Sequence, residues 1–355
     1  MARAGSNLMA VARRCSVSQS TVSRVLNNSK HGRFSVSTAV RDKILKVAQE
    51  LNYRPSIAAR NLTVSKTNLV GVLGVAGIWS DRVGPLEEAV GALAKSLDQS
   101  GYEICVQFMS LRHGPFQLPP LRVDGVVAVG PTSVADLEAL DGSGIPYVSL
   151  DGVVGPRGSQ VVPDDAGGTR MALRHLVELG HRRIAYLDHP SVDATQLSVF
   201  ARRDAFLQAA KELQFQVPKV EVPPLSGLLP WDSYYEPFLR RTVIEGKATA
   251  VLAYSHYGAL SLLRTAHDLG LSVPKEFSLV CFNNEPVISL SIPSLTAVDV
   301  PSAAMGEMAA QILLREMSGE EPSNPTCRKL EERLIVREST TTPKRSNLIL
   351  ASANI

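Results

Sequence analysis

From Leu69 onward the chain alternates short apolar runs with amphipathic stretches, and this limits the folds open to it more than any other feature. Apolar runs at 69–75, 103–109, 125–129, 146–149, 183–187, 249–253 and 277–281 read as buried strands. Between them, 84–99, 165–179, 197–213, 233–245, 257–269 and 301–317 carry apolar residues at helical spacing. Strands that alternate with helices build parallel, doubly wound sheets, which take ligands in crevices at the strands' C-terminal ends. More than two hundred residues of this pattern predict an α/β core of two lobes.

The segment before this core differs in charge. Residues 1–66 hold 12 Lys and Arg against only Asp42 and Glu50, while the remainder holds 25 basic and 32 acidic residues. A net charge of +3 therefore conceals a +10 module on a −7 body. Such a module points to a polyanion, nucleic acid first, with a merely solvated basic arm as the alternative. Three short helical patterns fit within it. Asn7 can cap a first helix, with Leu8, Val11 and Ala12 on one face. Ser18 can cap a second over Gln19–Leu26, and Ser37 a third in which Val40, Ile44, Val47, Ala48 and Leu51 recur. The first two, joined by a tight break at Cys15-Ser16-Val17, make a helix-turn-helix. The second helix of that unit offers its N-terminal residues to base edges in the major groove.

The residues here resemble the headpiece of the LacI/GalR family of bacterial transcription regulators. The likeness lies in Val11-Ala12, in Val17-Ser18-Gln19-Ser20-Thr21-Val22-Ser23-Arg24-Val25-Leu26-Asn27, in Leu51-Asn52-Tyr53-Arg54-Pro55 and in Ala58-Ala59-Arg60-Asn61-Leu62. It implies that Gln19 and Ser20 read bases and that Thr21, Ser23, Arg24 and Asn27 contact bases and phosphates. Side-chain chemistry agrees, since Gln pairs with adenine, Arg with guanine, and hydroxyls with phosphate oxygens. The resemblance also implies a hinge helix at about 56–64, with Ala59 at its close-packed position and Leu62 wedged into the minor groove; a plain linker is the alternative. Three departures stand out. Ser16 replaces the family's usual Gly, Ser56 its usual Asn, and the loop between Asn27 and Ser37 runs about four residues longer, with Lys30, His31 and Arg33 in it.

The likeness continues more diffusely as a periplasmic-binding-protein-like core, through Val123–Val127, His175–Ala185, Val273-Pro274 and Pro293–Thr296. It implies headpiece and hinge over 1–66, a core over 67–340 and a flexible tail over 341–355. Within the core, one lobe is expected at about 67–163 with 296–321, and the other at about 164–292 with 325–340. It further implies a homodimer on near-palindromic operator DNA, with a small-molecule effector, such as a sugar or sugar derivative, between the lobes. Arg202 matches the effector-contacting arginine and Ser198 a nearby polar contact; Trp79 and Trp231 are placed to stack on a sugar ring. Ser255-His256 stands where the family usually has Asn-Asp, and Cys281-Phe282-Asn283-Asn284 replaces Gly-Phe-Asp-Asp, so His256 and Asn283 join the candidates. These departures leave two alternatives, a ligand unlike the family's common sugars or an effector-independent regulator with a degenerate pocket. The connection 110–123, with Pro115, Pro119 and Pro120, predicts a shortened or missing helix.

Other classes fit less well. Phosphate-loop, zinc-protease, nucleophile-elbow and dinucleotide motifs are missing, so neither an enzyme nor a cofactor is expected. The seven histidines lack metal-ligand spacing, and Cys15, Cys105, Cys281 and Cys327 are scattered, as in a reduced cytoplasmic protein. No run of 18 apolar residues suggests a membrane partner, and Arg13 and Arg14 interrupt any export signal. A transport solute-binding protein would need such a signal and would not need residues 1–66. No heptads in the tail support a tetramer.

Overall fold

The computed structural model describes residues 8–26, 36–51, 53, 66–75, 85–109, 122–130, 132–189, 197–218, 232–319 and 325–344. The chain divides into a first compact unit ending at Thr67 and a second beginning at Asn68.

The first unit is helical: α1 (Leu8–Cys15), α2 (Gln19–Leu26) and α3 (Thr38–Glu50). Ser18 Oγ accepts from the Thr21 amide at 3.1 Å and Ser37 Oγ from the Val40 amide at 3.4 Å, which satisfies N-terminal donors left over by the helices. Val11, Ala12, Cys15, Val22, Val25, Ile44, Val47 and Ala48 bury a small common core. Ser16, in the turn between α1 and α2, has φ +59°, the left-handed region that favours glycine.

The second unit contains two sheets. The first joins β1 (Leu69–Val75), β2 (Glu103–Met109), β3 (Gly125–Val129), β4 (Tyr147–Leu150) and β5 (Ser159–Pro163) with β10 (Cys327–Leu330), in the order β10-β5-β4-β3-β1-β2. The second joins β6 (Ile184–Leu187), β7 (Ala250–Ala253), β8 (Ser278–Phe282) and β9 (Thr296–Asp299) with β11 (Arg333–Ile335), in the order β11-β9-β8-β7-β6. All pairs are parallel except β11 on β9. The helices are α4 (Pro85–Gln99), α5 (Val134–Ser143), α6 (Asp165–Glu178), α7 (Leu197–Glu212), α8 (Asp232–Leu239), α9 (His256–Asp268), α10 (Pro286–Ser289) and α11 (Ser302–Ser318). Helix α8 runs on through a wider π turn at Arg240–Glu245.

The seven expected strands all form, four of them displaced by about one residue. Strands β5, β9, β10 and β11 were not expected. Three of them are short, and β10 and β11, as CRKL and RLI, carry too much charge to read as apolar runs. These strands also correct the expected lobe boundaries. Residues 296–299, placed with the first lobe, pair with β8, and 327–330, placed with the second, pair with β5. The chain therefore passes between the sheets at Asp164, again between Asp299 and Ser302, and again at Glu331-Glu332. The first and third passages run side by side, with the Asp164 amide donating to the Leu330 carbonyl at 2.8 Å. Helices α4 and α11 share one core, with Val90, Leu93, Met305 and Ala309 buried. They approach so closely that a Cβ on Gly306 would collide with the Ala89 carbonyl. The expectation for 110–123 falls almost wholly outside the described residues.

Candidate functional site

In the helical unit, α2 sets Gln19, Ser20 and Arg24 on its exposed side, with Thr21 and Ser23 half-buried. Val22 and Val25 anchor the opposite face in the core. Ser18 Oγ lies 2.8 Å from both Ser20 Oγ and Thr21 Oγ1, so the cap also holds these two hydroxyls at the helix start. Asn27, Ala59 and Leu62 lie outside the described residues.

In the two-sheet unit, Arg202 of α7 lies against Asp165, just past the first passage between the sheets. Its Nε donates to Asp165 Oδ1 at 2.5 Å and its Nη1 to the Tyr254 carbonyl at 2.8 Å. The guanidinium stacks 3.9 Å from the ring centre of Phe282 and 4.9 Å from that of Tyr254. Arg202 is 4% exposed. Burial, the largest cause, pulls its pKa down, but Asp165, Tyr254 and Glu332 together outweigh it and the net shift is upward. Ser198, one turn earlier, lies 2.8 Å from the Tyr254 hydroxyl. The next arginine, Arg203, is held by Asp188.

Two more carboxylates share this site. Asp151 directly follows β4, and Glu332 lies in the link from β10 to β11. Both Glu332 oxygens and Asp151 Oδ1 are buried without hydrogen-bond partners among the described residues, as is the Tyr186 hydroxyl. Burial, opposed by Arg202 and reinforced by Asp165, Asp164 and Asp151, lifts Glu332 to about 8. Burial and then Asp165, opposed by Arg202, lift Asp151 to about 7. Gly168 on α6 makes the space for Glu332, because a Cβ there would collide with its carboxylate.

His256 opens α9 and is 2% exposed, and burial pushes its pKa down to about 4, so it is neutral at pH 7. Asn283 directly follows β8, with φ +70° and a buried Oδ1 that has no partner among the described residues. It follows Phe282, whose ring covers Arg202. Trp79 and Trp231 lie outside the described residues.

Comparisons with known proteins agree with both units. Residues 7–56 match the family of bacterial regulatory proteins named for lacI, and residues 173–340 match the periplasmic binding protein-like domain. The transcriptional repressor PurR of Mannheimia succiniciproducens is 26% identical over 337 residues, which span 93% of this chain and 97% of that protein. The lac repressor dimer bound to operator and the anti-inducer ONPF superposes with a TM-score of 0.73 at 24% identity, over 95% of this chain and 99% of that one. A complex of the transcriptional regulator CelR with cellobiose superposes with a TM-score of 0.64 at 24% identity, over 94% and 100%.

The chain belongs to the LacI/GalR family. This LacI-family protein is a helix-turn-helix DNA-binding regulator with a periplasmic-binding-protein-like core, and not an enzyme. None of its described helices is long and apolar enough to cross a membrane. Its departures now have a local setting. Ser16 takes the left-handed conformation itself. Ser255 is the cap of α9, its Oγ accepting from the Gly258 amide at 3.3 Å. The sequence reading missed Asp151, Asp165, Glu332, Tyr186 and Tyr254. Asp151 and Tyr254 each directly follow a strand, a position that could have marked them. Glu332 gave no signal, being one acid in a charged run.

Proposed function

We infer that this regulator is a cytoplasmic repressor that binds a near-palindromic operator as a homodimer, its affinity set by a small molecule held between the core lobes. The headpiece with its hinge spans residues 1–66, and the core 67–340. Gln19 and Ser20 read bases, and Thr21, Ser23, Arg24 and Asn27 add base and phosphate contacts. Ala59 and Leu62 belong to a hinge helix that opens the minor groove. Arg202, Ser198, His256, Asn283, Trp79 and Trp231 surround the effector. The observation that carries this reading is the exposed row Gln19, Ser20 and Arg24 on a capped helix whose other face is buried. The dimer is supported by Leu290 and Ile292, which are 81% and 96% exposed beside exposed Val287. An apolar cluster of this kind marks a surface that another chain covers. A two-fold dimer in turn favours a symmetric DNA site.

Selection of bound duplexes from a random DNA pool tests the reading, with the full chain and a version lacking residues 1–66. Enrichment of a palindrome by the full chain alone is expected. Failure of the full chain to enrich any sequence would overturn it.

A further inference from the structure

We propose that the site between the lobes takes a cationic, amine-bearing small molecule, its ammonium group placed between Asp151 and Glu332, and that it rejects anions. The inference rests on reading this site as the effector site. An arginine in a ligand cleft ordinarily suggests a carboxylate or phosphate partner. Here that role is filled from within the chain. The Arg202 guanidinium is engaged by Asp165 and the Tyr254 carbonyl, and its faces are covered by the Phe282 and Tyr254 rings.

The nearby cations are engaged as well. Arg203 pairs with Asp188, Arg333 with Asp299, and Lys329 lies 3.7 Å from Asp164. After these pairings Asp151 and Glu332 remain, two carboxylates that feel the charge of Arg202 but share it with Asp165, and whose buried oxygens accept no hydrogen bond from it.

Glu332 is 3% exposed and both its oxygens are unpartnered. A buried carboxylate in that condition must hold a proton or meet a donor. Asp151 has one oxygen in the same condition, and the residue as a whole is half-buried. Two acceptor carboxylates and a third acceptor at Tyr186 suit a ligand that brings positive charge and several hydrogen-bond donors. An anion would find no available guanidinium and would be repelled by whichever of the two acids is ionised. Gly168 keeps the Glu332 carboxylate in place, since any side chain there would displace it.

The test uses the full chain and probes matched in frame but not in charge: D-glucosamine, D-glucose and D-glucuronate, then putrescine and succinate. Melting temperature and calorimetric affinity are measured for the wild type, Glu332→Gln and Asp151→Asn. The expected result is that an amine raises the melting temperature of the wild type while the matched carboxylate does not. Each variant should then weaken amine binding by roughly tenfold or more, the loss of one charge-assisted contact. The proposal is overturned if a carboxylate or neutral probe binds as well as its amine, if no amine binds, or if both variants keep wild-type affinity. Operator binding, measured separately, distinguishes these failures from failure of the regulator reading itself.

Discussion

Arg202 and Asp165 meet at 2.5 Å, Nε to Oδ1, with both side chains almost wholly buried. Asp165 is the first residue of α6, just past the passage from one sheet to the other, and Arg202 lies on α7 of the second lobe. Removing the cation from such a pair leaves buried carboxylates without compensation, which costs about 3–5 kcal/mol. Arg202→Met is therefore expected to lower stability by that order at pH 8. Asp165→Asn should cost less, because Glu332 and Asp151 remain near the guanidinium and can take up its charge. Denaturant titration of the two variants gives the comparison, and equal losses would count against this ordering.

The same cluster makes stability depend on pH. In the folded chain Glu332 and Asp151 hold protons up to about 8 and about 7, against ordinary values of 4.5 and 3.8. Between those limits the unfolded chain binds fewer protons than the folded one, so stability falls as pH rises. Their contribution is fully present below about 4, is lost progressively up to about 8, and is flat beyond. Glu332→Gln removes about half of this slope. Its melting temperature should exceed that of the wild type by more at pH 8 than at pH 5, which paired thermal melts would show.

Two glycines on the facing helices α4 and α11 should respond oppositely to alanine. A Cβ on Gly306 collides with the Ala89 backbone, whereas one on Gly91 meets nothing within 4 Å. Gly306→Ala is expected to destabilise by about 2 kcal/mol through overpacking. Gly91→Ala should stabilise by about 0.5–1 kcal/mol through helix propensity. Chemical denaturation of both variants checks the pair.

Ser16→Gly should stabilise the headpiece by up to about 1 kcal/mol, because the turn between α1 and α2 requires φ +59°. Hydrogen exchange of the α1 and α2 amides would register the gain as slower opening. Faster exchange would mean that the serine side chain contributes something the turn needs.

Leu62→Ala should weaken specific operator binding and reduce DNA bending while leaving the core folded. Gel-shift affinity together with a bending assay is the measurement. Unchanged affinity with unchanged bending would remove Leu62 from the wedge.

Much of the architecture was legible in the sequence because periodicity reports burial directly. The three headpiece helices and six core helices fall within about a residue or two of their expected ends, and Ser18 and Ser37 cap as expected. The sequence was silent about the edge strands β10 and β11, since strands exposed along one side need little apolar content. The expected lobe boundaries were displaced because they depend on where the short strands β9 and β10 pair.

What the sequence alone determined is the class of molecule: a basic helix-turn-helix module ahead of a doubly wound, two-sheet core. Charge distribution, apolar spacing and a run of family residues are local properties, and each can be read without knowing what lies opposite. What only the tertiary structure decided is the character of the site around Arg202. In the sequence Asp151, Asp165, Arg202, Tyr254 and Glu332 are far apart, and Arg202 reads as an arginine open to an effector. Folding brings them together where the chain passes between its sheets, engages the guanidinium from within and leaves buried oxygens of two carboxylates without a hydrogen-bond donor. Electrostatic balance depends on distance and burial, and those are fixed only when the sheets are assembled.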